Sequence, residues 1–348
     1  MAETTTYRLV LNGFGSVGQG LAQILRYHSE WLAKRYGVTL QIVGVATRSR
    51  GTVYNPAGID PALLLETAEQ GGDLRGLAGA FDGDALALIE RAEADIFVEV
   101  SPTNLETAQP ATNYIRTAMA RGMHVVTANK GPVALRFAEL RREANEAGVY
   151  FGFEGTVMSG TPALRLGWGD LAGCEILELS GIVNGTTNYI LTQMEQGRSY
   201  ADALAEAQQL GYAETDPTGD VEGHDAAAKA LILANVLLDA NLKLSDVACS
   251  GITKLTQEMV AEAAAANERW KLLARVWRDG DQVRAQVAPV RLPSSHPLAN
   301  VGGVTNAITI TTDLLGDVTL IGPGAGGVAT GFALLSDILA MHLIWGQR

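Results

Sequence analysis

The apolar positions of this chain keep two different rhythms, and the switches between them outline its elements. Tyr7-Arg8-Leu9-Val10-Leu11-Asn12 is an apolar run of strand length, and the residues after it change to a helical spacing carried by Leu21, Ile24, Leu25 and Leu32. The change repeats. Leu40 to Ala46 reads as a second strand, Asp95 to Val100 as another, a helix is expected over Ala108 to Arg121, and His124 to Thr127 reads as a strand again. Residues 51–92 are less regular, with turns expected at Gly71-Gly72-Asp73 and Asp82-Gly83-Asp84. Alternating strands and helices predict a parallel sheet. Later, Ala226 to Ala228 and Ala230 to Leu238 are apolar almost all the way round, which predicts a buried helix. The alternation at Ile308-Thr309-Ile310-Thr311 and the run Val318 to Ile321 predict a sheet in a second domain, followed by a helix after Gly327 that returns to the first. Trp270 and Trp277 are spaced for one face of a helix and read as core.

A length of 348 residues suggests about two domains, and 47% hydrophobic content with 39 glycines fits an α/β enzyme. The formal net charge of −12, with no clustered Lys and Arg, excludes a nucleic-acid partner and an anionic membrane surface. No apolar run approaches the roughly 18 residues of a spanning helix, and Met1 to Thr6 lacks a signal-peptide pattern, so a cytoplasmic protein is expected. Cys174 and Cys249 have no CxxC spacing and no histidine set beside them, and read as two buried thiols.

The first strand runs straight into Gly13-Phe14-Gly15-Ser16-Val17-Gly18, a GxGxxG between strand and helix, which points to a dinucleotide. Gly13 permits the turn, Gly15 lets a pyrophosphate approach, and Gly18 lets the helix pack close. The second strand ends at Thr47-Arg48-Ser49-Arg50, where Arg48 and Arg50 suit the 2′-phosphate of NADP; solvated loop charges are the alternative. Ligands of an open parallel sheet sit at strand ends, here Ser101-Pro102-Thr103-Asn104 and Thr127-Ala128-Asn129-Lys130. Gly322 to Gly327, including Gly326, precedes a helix and offers backbone N–H groups to a cofactor, or else is a tight turn. The segment Gly211 to Lys229 carries five carboxylates, Glu214, Asp216, Asp220, Glu222 and Asp225. It sets Asp225 and Lys229 four apart, on one face of the helix expected to be buried. A charged pair at the mouth of such a helix needs partners or a ligand. His224 beside Asp225 points about 100° away and reads as a cap or surface residue.

Taken together, GFGSVG (13–18), TANK (127–130), FEGTVMSGTP (153–162), GIVNGTTNYI (181–190), GYAETDPTGDVEGHDAAAK (211–229) and IGPGAGG (321–327) resemble homoserine dehydrogenase. The resemblance spans nearly the whole chain, which ends about where a family member without a C-terminal regulatory extension ends. It implies an α/β protein with an N-terminal NAD(P)-binding Rossmann domain over residues 1–150, completed by 321–348. An inserted α+β substrate-binding, catalytic and dimerisation domain then covers 151–320. The implied reaction interconverts L-homoserine and L-aspartate 4-semialdehyde on the route to threonine, methionine and isoleucine. A related semialdehyde oxidoreductase and a non-catalytic NADP sensor are the alternatives. Carried over by matching position, Lys229, Lys130 and Asp225 are catalytic, and Glu214, Asp220, Tyr212, Gly185 and Thr186 bind substrate. Residues 13–18, Arg48, Arg50, Ser101, Thr103, Lys130 and Gly326 are expected to bind NADP or NAD. Glu154, Val157, Ser159 and Thr161 match a site for a monovalent cation such as sodium, built mostly from backbone carbonyls. A homodimer is implied as well.

Overall fold

The computed structural model describes residues 4–345. The chain forms two compact units, one running to Gly160 and resumed from Gly326, the other Thr161–Ala325.

The first unit is built on seven strands: β1 (Thr5–Asn12), β2 (Val38–Thr47), β3 (Gly51–Tyr54), β4 (Ala80–Phe81), β5 (Ile96–Glu99), β6 (His124–Thr127) and β7 (Phe151–Gly152). They lie in the order β4-β3-β2-β1-β5-β6-β7. β2, β1, β5, β6 and β7 run parallel, while β3 and β4 add an antiparallel edge. Leu9, Val10 and Leu11 are successive and all fully buried, because helices cover both faces of the sheet. This accounts for an apolar run where a half-exposed strand would alternate. The chain steps from β1 to β2 on one side, and β5 lies on the other, so the order reverses at β1 and β5. The crevice outside their carboxyl ends is the ligand position of such a sheet.

Gly13 leaves β1 at φ +107°, and a Cβ there would lie 2.6 Å from the Val100 carbonyl oxygen. A Cβ at Gly18 would meet the Gly13 carbonyl at 2.7 Å, so the helix Ser16–Tyr36 starts tight against its own loop. The expected helix at Ala108 begins three residues later, at Ala111. Ala108 has φ +59°, and Pro110 keeps the residue before it out of the helical region. The C-terminal helix Gly327–Trp345 corrects a second expectation. Its stretch Gly327–Ile344 has 18 residues at mean hydropathy 1.6, long and apolar enough by composition to cross a membrane. One aspartate, Asp337, is too little to lower that mean. Leu334, Leu335, Ile338 and Met341 of this helix are buried with the core of the first unit, beneath the helix Ser16–Tyr36.

The second unit holds β8 (Ile176–Ile182), β9 (Val247–Cys249), β10 (Glu268–Asp279), β11 (Gln282–Pro293), β12 (Thr305–Thr312) and β13 (Gly316–Pro323). Their order is β13-β12-β8-β10-β11-β9, antiparallel except for β11 and β9. The helix Gly185–Glu195 leaves β8, and the helix His224–Leu237 packs on β10 and β11, with Ala226 to Ala234 buried throughout. Trp270 and Trp277 lie on β10 and not on a helix. Seven residues return to the same side of a helix but to opposite faces of a strand. Trp270 Nε1 donates to the Met259 carbonyl at 3.1 Å, and Trp277 lies under the Arg275 guanidinium at 5.3 Å. The cysteines are not the buried pair expected: Cys174 is half-buried and Cys249 exposed.

Lys271 of β10 is a charge the sequence pattern hides, only 1% exposed. Its Nζ donates to the Val301 carbonyl at 3.0 Å and to Asn188 Oδ1 at 3.3 Å, with Glu195 Oε1 at 3.6 Å. Burial pushes the lysine down and the glutamate up, and their mutual attraction opposes both. Removing Lys271 leaves Glu195 with only the Arg269 guanidinium, Nε at 3.6 Å, so its charge is less well compensated. Lys271→Met should therefore destabilise the second unit by about 3 kcal/mol. Urea unfolding followed by tryptophan fluorescence reads this, and an unchanged midpoint would show that the pair contributes nothing.

Candidate functional site

Each unit carries its own cluster of polar groups. In the first, the carboxyl ends of β1, β5 and β6 are joined through Glu99, which is fully buried. Its Oε2 accepts from Asn12 Nδ2 at 2.7 Å, and its Oε1 accepts from Ser101 N at 2.8 Å, from the Ser101 hydroxyl, and from Asn129 Nδ2 at 3.4 Å. Burial pushes this carboxyl up, and the four donors pull it back. Asn129 also caps the helix Lys130–Ala147, its side chain accepting from Gly131 N at 3.1 Å. One buried carboxylate thus ties the glycine loop's strand, the Ser101 loop and the start of the Lys130 helix together. Nothing in a single strand-end glutamate signals this in the sequence.

Beside it, the helix Ser16–Tyr36 begins at Gly15 with no side-chain cap and no acid in its first turn. Elsewhere in this unit Asp60, Asp84 and Asn129 each cap a helix with a side chain. The uncapped N–H groups carry partial positive charge, and a Cβ on Gly15 would meet nothing within 4 Å. That combination fits a pyrophosphate. Phe14 is buried in the core, so its contribution to a ligand is its backbone, while Ser16 is exposed and Val17 half-buried. Arg48 is exposed and Arg50 half-exposed on the turn after β2, and among the described residues neither enters an ion pair. Ser101 and Lys130 are half-buried, Thr103 is exposed, and Gly326 has φ +124° just before the C-terminal helix.

In the second unit, Lys229 is 8% exposed on the helix His224–Leu237. Its Nζ lies 2.7 Å from Asp225 Oδ2, one turn earlier, and donates to the Val183 carbonyl at 2.6 Å. The next residue, Asn184, donates from Nδ2 to Asp225 Oδ2 at 3.0 Å and to Asp220 Oδ1 at 2.7 Å. Burial pushes the Asp220 carboxyl up and the Asp225 charge adds to this, while Asn184, Lys229 and Thr186 oppose it. Thr186 donates to the Tyr212 carbonyl at 2.7 Å, and the exposed Tyr212 ring stands edge-on to Tyr189 at 5.1 Å. Gly185 is half-buried beside Thr186. Glu214 is exposed, with its carbonyl accepting from Gln208 Nε2 at 3.1 Å. Among the described residues the Glu214 carboxylate enters no hydrogen bond or ion pair. His224 is exposed at the first position of the helix. Val183 and Asn184 belong to this cluster and were not singled out from the sequence; their partners lie 36 to 46 residues away.

Of the residues matched to a cation site, Glu154, Val157 and Ser159 are buried in the first unit and Thr161 in the second. The hydroxyls of Ser159 and Thr161 are engaged, one with Thr330 at 2.8 Å and one with the Pro323 carbonyl at 2.9 Å. Among the described residues no group of three or more His, Cys, Asp or Glu could hold a metal ion.

Residues 13–154 match the family model for the homoserine dehydrogenase NAD-binding domain, and residues 162–339 match that for homoserine dehydrogenase. An NAD(+)-dependent homoserine dehydrogenase of Pseudomonas canavaninivorans is 47% identical over 341 residues, 97% of either chain. The homoserine dehydrogenase of Methanocaldococcus jannaschii is 39% identical, over 96% of this chain and 98% of that one. Among solved structures, a putative homoserine dehydrogenase from Archaeoglobus fulgidus matches with TM-score 0.87 at 37% identity, over 96% of this chain and 98% of that one. A hyperthermophilic archaeal homoserine dehydrogenase in complex with NADPH matches with TM-score 0.84 at 33% identity, over 98% and 99%. With both units matched in sequence and in fold, the chain belongs to the homoserine dehydrogenase family.

Proposed function

We propose that this protein interconverts L-homoserine and L-aspartate 4-semialdehyde, with Lys229 moving the proton and NADP as the preferred cofactor. The observation that carries the reading is the Lys229 ammonium, held by Asp225 and the Val183 carbonyl. An ammonium has three N–H donors. Two are taken by these acceptors, which leaves the third for a reacting oxygen. In the oxidative direction the lysine arrives as the amine and takes the homoserine hydroxyl proton. In the reductive direction its ammonium returns that proton to the aldehyde oxygen. The nicotinamide, when bound, accepts or supplies the hydride at the same carbon.

Glu214, whose carboxylate is unspent, is suited to the substrate ammonium. Thr186, Gly185 and Tyr212 line the amino-acid position, with Asp220 behind Asp225. The uncapped helix Ser16–Tyr36 and the open face of Gly15 receive the pyrophosphate, with Ser101, Thr103 and Gly326 at the loops around the crevice. NADP is favoured because β2 ends in arginines, unengaged by any acid, where an NAD site places a carboxylate for the ribose hydroxyl. The enzyme works as a cytoplasmic homodimer in this reading, in which its two free cysteines suit a reducing compartment.

Homoserine oxidation, followed by absorbance of the reduced nicotinamide with NAD and NADP in parallel, tests the reading. Turnover with NADP at higher kcat/KM than with NAD is expected, and binding of either cofactor without turnover would leave only a nucleotide sensor. Lys229→Ala should lower kcat by about a hundredfold or more while folding and NADP affinity are retained. A variant with near wild-type kcat would make Lys229 purely structural. Gly15→Ala should leave the melting temperature almost unchanged, since the added Cβ meets open space, yet weaken NADP binding about tenfold or more. Unchanged affinity in a fluorescence titration would remove the pyrophosphate from this helix.

A further inference from the structure

Asn184 sits where β8 gives way to the helix Gly185–Glu195 and is only 5% exposed. Both ends of its amide are committed. Oδ1 accepts from Thr187 N at 2.9 Å and from Thr187 Oγ1 at 3.0 Å, which is the helix cap and fixes which way the amide faces. Nδ2 is thereby turned to the opposite side, where its two N–H bonds go to two different carboxylates, Asp220 at 2.7 Å and Asp225 at 3.0 Å. Asp225 passes the constraint on, since the same Oδ2 oxygen pairs with Lys229 Nζ. Two carboxylates facing one ammonium leave a net negative charge in a partly buried place, and like charges this close oppose one another's ionisation. A neutral group with two donors and no charge of its own relieves that conflict.

We propose that Asn184 is a positioning residue for proton transfer, clamping Asp220 and Asp225 side by side so that Asp225 holds Lys229 in its working orientation. This rests on the reading of Lys229 as the proton carrier. The groups that set the Asp220 charge are Asp225 and Lys229 on the helix His224–Leu237, and Asn184 and Thr186 at the start of the helix Gly185–Glu195. Burial first, and the Asp225 charge after it, already raise Asp220 from its ordinary value, and Asn184 is the first of the groups opposing them. Losing its donor moves the titration further up.

The test separates the clamp from the cap. Serine and aspartate both cap helices well, so Asn184→Ser and Asn184→Asp keep the Thr187 bond. The serine loses the bridge, and the aspartate puts a third carboxylate where the donor was. Both variants are expected to lose about ten- to a hundredfold in kcat, the scale of a hydrogen bond to a charged group, with NADP affinity unchanged. The acid limb of the kcat–pH profile should move to higher pH in both. Carboxylate carbon NMR on aspartate-labelled protein, which needs no substrate, should show Asp220 titrating at higher pH in Asn184→Ser than in the wild type. Wild-type kcat and an unmoved limb, or an unmoved Asp220 titration, would overturn the clamp and leave Asn184 a cap. Wild-type protein that fails to oxidise homoserine would instead overturn the functional reading, and the NMR titration would still decide the clamp.

Discussion

Lys229 lies on a helix whose neighbours Ala226 to Ala234 are buried, a setting in which an uncompensated ammonium would cost several kcal/mol. What allows it there is an ion pair made within the helix and a carbonyl reached from outside it. Asp225, one turn back, supplies the opposite charge at 2.7 Å, and the last carbonyl before the Asn184 cap supplies the second acceptor. The helix can therefore pack on β10 and β11 while keeping a charged group at its mouth. Asn184 and Asp220 are tied to that pair, since Asn184 Nδ2 donates to both Asp220 and Asp225.

The first unit meets the opposite problem with neutral groups. Glu99 is a carboxyl with no exposure, and the partners within reach are two asparagines, a hydroxyl and a backbone N–H. Four donors on one carboxylate recover part of what desolvation removes. In doing so they lock the ends of β1 and β5 to the residue that caps the Lys130 helix. The crevice of the sheet is thus edged by a fixed frame, and the uncapped helix beside it is left as the open anion site. In both units a buried charge is stabilised by residues from several elements, and those elements are the ones that carry the candidate ligands.

Where a signal was local, the sequence made it readable. The strand, the three glycines and the helical spacing of Leu21, Ile24 and Leu25 follow one another within a few turns, and each has a steric meaning of its own. Asp225 and Lys229 could be grouped by helical spacing alone. Asn184 and Val183 could not, because what they do is done across 36 or more residues to partners on another helix. Glu99 and Lys271 look like ordinary charges in sequence, and only the folded sheets show that they are buried. The tryptophans of β10 were misassigned because spacing of seven fits a helical face, and β10 is a strand with apolar residues on both faces. The C-terminal helix reads as shorter apolar runs in the sequence because Asp337 and His342 interrupt it without much lowering its mean hydropathy.

The central claim is that Lys229, and not Lys130, faces the reacting oxygen. A crystal structure of the enzyme with homoserine and oxidised NADP bound tests it most directly. The account predicts the homoserine hydroxyl within about 3 Å of Lys229 Nζ, on the side that Asp225 and Val183 leave open, with the ammonium of homoserine on Glu214. A hydroxyl bonded to Lys130 instead, with Lys229 still closed on Asp225 and the Val183 carbonyl, would contradict it.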